Sequence, residues 1–335
     1  MKILLVQTSF LGDTILSTPV ISGLKKIYPD AKIWMMTTQL SSQLITRDPL
    51  LEDVIIFDKR GVDAGFSGLL RIMRTIKSMN FDMVYSLHRS FRTSVLLWMC
   101  NIPKRIGFKN ARLNSVYHRL CERNPKDHDV IRNLSILSKD ISLESLETRL
   151  RLFTPQEKDV DADILKIISK FNKYIVMAPG SAWNTKMWHW QGYREAVKYF
   201  LNKGFGVVLM GALSDKTVND KVSNGLDVYD SAGKSISDAM YIVKNAKLMI
   251  CNDSMALHMA SAFKVPNVSI FCATSPEFGF APWENNAIVV EKKDLACKPC
   301  HRHGKQTCPN GTDACMNNLS HDEVIEAASK LLNIQ

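Results

Sequence analysis

What this chain lacks narrows its class before any motif is considered. Its 335 residues contain no apolar run near the length of a membrane-spanning helix, which takes about 18 residues or more, and Val95 to Cys100 is among the longest stretches. A soluble or membrane-peripheral protein is therefore predicted. Glycine is scarce where a dinucleotide fold would need it. The first strand-to-helix turn, Gln7 to Thr14, holds only Gly12, whereas the dinucleotide fingerprint requires three spaced glycines. A nicotinamide dehydrogenase is thus disfavoured. No aromatic-rich recognition motif and no zinc-finger spacing accompanies the basic residues, so nucleic acid is not expected as a partner. The apolar opening Met1 to Val6 stops at Gln7 with no small-residue cleavage site after it, and reads as a buried first strand rather than a signal peptide. Without an export signal, the eight cysteines read as reduced thiols or metal ligands, and a cytoplasmic location is expected.

What is present fits an ordinary globular chain, 46% hydrophobic and 23% charged, long enough for two cores of roughly 150 residues each. The charge is uneven. Residues 1–150 carry 22 Lys and Arg against 14 Asp and Glu, while the remainder is close to balance with 21 against 19. Arg89, Arg92, Lys104, Arg105, Lys109, Arg112, Arg119, Arg123, Lys126 and Arg132 crowd one segment. Such a run is either a solvated face or the contact surface for an anionic partner, and a phosphorylated glycolipid or a membrane surface fits the second alternative.

Short β-branched runs alternate with segments of helical period, which predicts parallel α/β architecture. Strands are expected at Ile3–Val6, Lys32–Thr37, Val54–Phe57 and Met83–Leu87. A second series follows at Tyr174–Ala178, Val207–Met210, Leu248–Cys251 and Val268–Phe271, with helices near 190–203, 214–224, 235–245 and 255–263. The expected fold class is α/β with two doubly wound, Rossmann-like domains. Residues 1–153 form the first and 174–320 the second, with 154–173 as a connector and 321–335 as a closing helix. Because Pro19 removes a hydrogen bond, the first regular helix is expected to begin near Ser17, leaving Asp13 in the preceding turn.

Three turns carry candidate chemistry. Asp13 either caps a helix or, as a carboxylate at a strand end, acts as a base. The stretch Pro179-Gly180-Ser181-Ala182-Trp183-Asn184-Thr185-Lys186 offers backbone N–H groups and a lysine for a diphosphate; packing of a tryptophan-rich turn is the alternative, and Trp188 and Trp190 are read that way. In Asn252-Asp253-Ser254-Met255-Ala256-Leu257-His258, a strand runs into a helix whose free N–H groups and dipole suit an anion, and His258, four residues after Ser254, faces the same side. A satisfied core histidine is the other reading of His258. The tail places Cys297 and Cys300 in a C-x₂-C spacing ahead of Cys308 and Cys315, compatible with a structural metal, an iron-sulfur cluster, buried free thiols or a disulfide.

Taken together, Leu11-Gly12-Asp13 with Leu16-Ser17-Thr18-Pro19, the Pro179 to Trp188 turn and the Asn252 to His258 helix start resemble, in order and spacing, the glycosyltransferase family 9 heptosyltransferases. The likeness continues through Phe271–Gly279 and the cysteine-rich tail, and so covers nearly the whole chain. It implies a GT-B fold and an inverting glycosyltransferase that takes heptose from ADP-heptose to the lipopolysaccharide inner core, with no catalytic metal and no other cofactor. By the same resemblance Asp13 is the general base. The donor side is Ser181, Ala182, Lys186, Asp215, Asp253, Ser254, Met255, Ala256 and His258, with Asp215 assigned to the ribose. The acceptor side is Thr14, His88, Arg89, Arg92, His128 and Arg132. The implied partners are a nucleotide-sugar donor and an anionic glycolipid, met by a monomer in peripheral contact with the inner face of the cytoplasmic membrane.

Overall fold

A computed structural model describes residues 1–59 and 61–334 and divides the chain into two compact units, Met1–Phe153 and Thr154 onward. In the first, six parallel strands run β1 (Lys2–Val6), β2 (Lys32–Thr37), β3 (Asp53–Ile56), β4 (Met83–Ser86), β5 (Lys104–Phe108) and β6 (Arg119–Cys121), in the spatial order β3-β2-β1-β4-β5-β6. The order reverses direction between β1 and β4, which pair in register from Ile3 opposite Met83 to Val6 opposite Ser86. At such a switch point the loops leaving the two strands diverge and open a crevice at their carboxyl ends.

Among the described residues six α-helices accompany this sheet: α1 (Leu11–Ser17), α2 (Pro19–Ile27), α3 (Gln39–Ile45), α4 (Gly65–Ser78), α5 (Phe91–Met99) and α6 (Asp129–Leu134). Leu69, Ile72 and Ile76 recur on one side of α4 and pack with Leu96 and Leu97 of α5 against Leu4, Val6, Met36 and Val84 of the sheet. Each such side chain, fully buried, contributes about 1.5–3 kcal/mol. The strands are apolar on both faces because helices cover both.

The start of the first helix differs from the expectation. α1 begins at Leu11, six residues before Ser17, and Pro19 opens α2 at its first position, where the missing N–H is not needed. Asp13 therefore lies in the first turn of α1 rather than in the loop before it. The strands β5 and β6 were also not anticipated.

The second unit repeats the plan with β7 (Tyr174–Ala178), β8 (Gly206–Leu209), β9 (Tyr229–Asp230), β10 (Leu248–Asn252), β11 (Asn267–Ile270) and β12 (Ala287–Val290), ordered β12-β11-β10-β7-β8-β9. Its switch point is between β7 and β10. The helices are α7 (Ala162–Ile168), α8 (Trp190–Asn202), α9 (Lys216–Ser223), α10 (Ile236–Lys244), α11 (Met255–Phe263), α12 (Ala314–Asn317) and α13 (His321–Leu332). Residues 154–173, expected as a connector, pack with this unit, where Tyr241 donates to Glu157 at 3.1 Å and Lys234 pairs with Asp161 at 2.5 Å. Val324, Ala327 and Ala328 of α13 complete the core with Trp188 and Phe200. No helix among the described residues is long and apolar enough to cross a membrane.

Candidate active site

In the first unit, a pocket of about 330 Å³ opens at the β1/β4 switch point. Asp13 reaches its wall from the first turn of α1, where one carboxylate oxygen accepts the Phe10 N–H at 3.2 Å. Burial, reinforced by the nearby Asp129 carboxylate, pushes the Asp13 carboxyl up to about 6. Capping and proton transfer are thus compatible for this residue. One oxygen is held by the backbone and the group titrates near neutrality, where a base works best.

His88 and Arg89 enter the same pocket from the loop after β4. The His88 Nδ1 is surrounded by hydroxyls, Thr93 at 2.7 Å, Thr8 at 3.0 Å and Ser90 at 3.2 Å. Burial, with the cations of Lys59 and Arg89, pushes its imidazole down to about 3, so it is neutral at physiological pH. It offers hydrogen bonds there, not charge.

Other residues assigned to the acceptor side go elsewhere. Thr14 is fully buried and donates to Phe10 O within the helix at 3.3 Å. The Arg92 guanidinium is spent on the carbonyls of Lys59, Asp63 and Gly65 and lies over the Phe57 ring. His128 caps α6 by accepting the Val130 N–H at 3.3 Å. Arg132 is completely buried, bonded to the carbonyls of Asn124 and Pro125 and to Asp129. A guanidinium with no exposed surface holds its own loop rather than an acceptor, contrary to the expectation for Arg132.

The pocket also takes in Ser90 and Asp129, from the two segments that the family resemblance places on the acceptor side, and Gln7, Ser9, Asn110, Arg112, Arg123 and Asn133, which it does not assign. Arg123 and Asp129 form an ion pair with both side chains under one-tenth exposed. The Gln7 Oε1 and Arg123 Nε are buried without hydrogen-bond partners among the described residues. Arg112 and Arg123 stood in the basic run; nothing in the sequence pointed to Gln7 or Asn110.

The second unit builds its site around a buried amide. Asn252, at the end of β10, accepts the Trp188 N–H at 2.9 Å and donates to Pro179 O at 2.8 Å, fastening the Pro-Gly-Ser turn to the neighbouring strand end. Lys186 reaches across to Asp253, Nζ to Oδ2 being 2.6 Å, and Thr274 donates to the same oxygen at 2.7 Å. Ser254 caps α11 by accepting the Ala256 N–H at 3.4 Å. Met255 follows at the first position of the helix and is partly exposed. His258 is buried on the inner turn, its ring 6.5 Å from that of Phe280. Asp215, half-buried, accepts the Ala212 N–H at 2.8 Å, and burial raises its carboxyl. It packs so closely on Gly180 that a Cβ there would meet its Cγ at 2.2 Å. The residues assigned to the donor therefore gather at the β7/β10 switch point, where N–H groups and a helix N-terminus suit a phosphate.

The cysteine-rich tail braces this turn. Lys305 exchanges hydrogen bonds with Thr185, at 2.8 Å to its hydroxyl and 3.1 Å from its N–H, and Gln306 donates to Ala182 O at 3.1 Å. Ser181 accepts the Trp183 N–H at 3.4 Å. Cys297, Cys300, Cys308 and Cys315 border a cavity of about 10 Å³, and among the described residues no group of three or more His, Cys, Asp or Glu is arranged to hold a metal. All eight cysteines are free thiols in this structure.

Comparison with known proteins identifies the fold and the family. Lipopolysaccharide heptosyltransferase 2 of Salmonella typhimurium is 23% identical over 349 residues, covering 99% of each chain. Lipopolysaccharide heptosyltransferase 3 of Escherichia coli is 26% identical over 297 residues, covering 83% of this chain and 84% of its own. Among solved structures, a family 9 glycosyl transferase from Veillonella parvula superposes with a TM-score of 0.85 at 23% identity, over 99% of this chain and 97% of that one. Heptosyltransferase II of E. coli does so at 0.81 and 21%, over 99% of both. These likenesses give the fold, GT-B with two Rossmann-like domains. The profile of Glycosyltransferase family 9 (heptosyltransferase) matches residues 69–310, and the chain belongs to that family of glycosyltransferases.

Proposed function

We propose that this enzyme transfers L-glycero-D-manno-heptose from ADP-heptose to an acceptor sugar of the lipopolysaccharide inner core, inverting the anomeric carbon without a catalytic metal. The observation that carries the reading is Asp13. A carboxyl that titrates near 6 stands on the wall of a pocket that also holds Arg89, Arg112 and Arg123. The arginines suit the phosphates and acid-sugar carboxylates of the acceptor, and Asp13 takes the proton of its attacking hydroxyl as the new bond to the anomeric carbon forms. The bond from that carbon to the diphosphate breaks at the same time. ADP departs with the electron pair toward Lys186 and the N-terminus of α11, which supply positive charge where negative charge develops.

The Salmonella and E. coli relatives named above are heptosyltransferases of lipopolysaccharide, which supports this donor sugar and this acceptor class. The enzyme acts in the cytoplasm as a monomer, at the inner face of the membrane that carries its acceptor. ADP release measured with purified inner-core acceptors and a panel of nucleotide sugars tests the reading. Preference for ADP-heptose is expected. Turnover of a different nucleotide sugar would reassign the donor within the family, and no release with any of them would favour a non-catalytic glycolipid-binding protein.

A further inference from the structure

The first unit exposes an unusual share of apolar side chains. Of ten large hydrophobic residues exposed among the described residues, nine lie in this unit and only Leu213 in the other. Single exposed apolar residues are commonplace and need no explanation. Their placement does. Phe10, Leu40, Val62, Phe66, Phe91 and Leu113 all stand on loops or first helical turns that leave the carboxyl ends of β1 to β5. Val62, Phe66 and Phe10 are the most open of these, at 70%, 69% and 67%, and Phe91 is 56% exposed.

Arg92 draws part of this set together. From the first turn of α5 its guanidinium donates to Asp63 O and Gly65 O, which tethers Phe91 to the loop bearing Val62 and to the start of α4 bearing Phe66. The pocket of Asp13 opens at the same end of the sheet, and the exposed Arg89 and Arg112 flank it, the Arg112 N–H donating to Arg89 O at 2.9 Å.

We propose that this rim of the first sheet is a docking surface for an anionic lipid bilayer. It rests on reading the pocket as the acceptor site, because a lipid-linked acceptor must reach that pocket from a membrane. Aromatic and aliphatic side chains interspersed with arginines match an interface in which rings enter the headgroup region while guanidinium groups meet phosphates. The excess of 22 basic over 14 acidic residues in positions 1–150 adds long-range attraction to such a surface. The same charge opposes pairing of two copies of this rim, so a bilayer is favoured over self-association.

Co-sedimentation of the full chain with vesicles tests the surface, comparing phosphatidylcholine alone with an equimolar mixture of phosphatidylcholine and phosphatidylglycerol. The wild-type protein is expected to pellet with the anionic vesicles and much less with neutral ones or in high salt. The double substitution Phe66→Ser and Phe91→Ser is expected to lower partitioning about tenfold or more with an unchanged thermal midpoint. Should that variant misfold, Val62→Ser and Leu40→Ser singly are expected to give smaller losses in the same direction. Equal binding by wild type and variants, equal binding to neutral and anionic vesicles, or a wild-type dimer that the substitutions dissociate would each overturn the proposal. The assay contains no nucleotide sugar and no acceptor. Its failure therefore leaves the transfer reading intact, and failure of transfer leaves vesicle binding to be judged by itself.

Discussion

Lys186 Nζ lies 2.6 Å from Asp253 Oδ2, an ion pair that joins the turn after β7 to the turn after β10 where the second sheet reverses its order. The side chains are only 14% and 7% exposed. The sequence reads this residue as a lysine for a diphosphate. The pair gives it two roles, since a phosphate entering here would share a cation that already serves Asp253.

Lys186→Ala is therefore expected to weaken both donor use and stability. Removing one partner of a fully buried pair costs about 3–5 kcal/mol, and the residual exposure here lowers the expectation to about 2. Asp253→Asn added to Lys186→Ala should recover stability, because no lone carboxylate remains, while donor KM stays high. Urea unfolding and donor kinetics on both variants check this. Unfolding of Lys186→Ala at the wild-type urea midpoint would mean that the pair contributes nothing in solution.

The arginines of the first unit should separate by burial. Arg89→Ala and Arg112→Ala remove exposed cations beside the pocket, so acceptor KM should rise and its salt dependence fall, with little change in thermal midpoint. Arg132→Ala deletes a fully buried guanidinium and leaves the carbonyls of Asn124 and Pro125 without their donor. A stability loss of about 3 kcal/mol or more is expected there. An Arg132→Ala protein of normal stability with a raised acceptor KM would return that residue to the site.

Those arginines also mark where sequence reading stopped. Arg89 and Arg132 contribute the same charge to a local count, and only packing distinguishes a rim cation from one enclosed by its own loop. The strands β5 and β6 were missed for a related reason. They begin at Lys104-Arg105 and at Arg119, and the charges at these strand ends masked the short apolar stretches that follow. The buried strands β1, β2, β7 and β10 were legible because both of their faces are apolar. At the donor site the turn sequences were readable, but the Asn252 latch and the Lys305 brace depend on contacts more than 60 residues apart, which no local pattern encodes.

Gly180 supplies a test of the donor turn that changes no charge. A Cβ at this position would stand 2.2 Å from the Asp215 Cγ, an overlap that one of the two segments must relieve by moving. Gly180→Ala is expected to cost about 1–3 kcal/mol in stability and to raise donor KM through displacement of Asp215. Gly180→Ala combined with Asp215→Ala should regain stability without regaining donor affinity. If the single substitution leaves both quantities unchanged, the close approach is absent in solution and Asp215 has no tie to this turn.

Asp13 offers the sharpest separation of roles, because its environment predicts opposite signs for stability and activity. The carboxyl is raised from an unfolded value of 3.8 to about 6, so the folded protein holds its proton more tightly than the unfolded chain does. Stability from this group is present at low pH and is lost as pH rises from about 4 to about 6; above that, a charged Asp13 is a net cost of at most about 3 kcal/mol. Asn at this position keeps an oxygen for the Phe10 N–H and never ionises. Asp13→Asn should then be as stable as wild type or more so at neutral pH, with the advantage shrinking as pH falls below 6. Turnover should drop at least about 100-fold, since general-base catalysis typically contributes 10²–10⁴. Wild-type kcat/KM should itself decline below pH 6 as the base becomes protonated, and that limb should vanish in the variant's residual activity. A destabilised Asp13→Asn that retains most of its turnover would show the carboxylate to be a helix cap and nothing more.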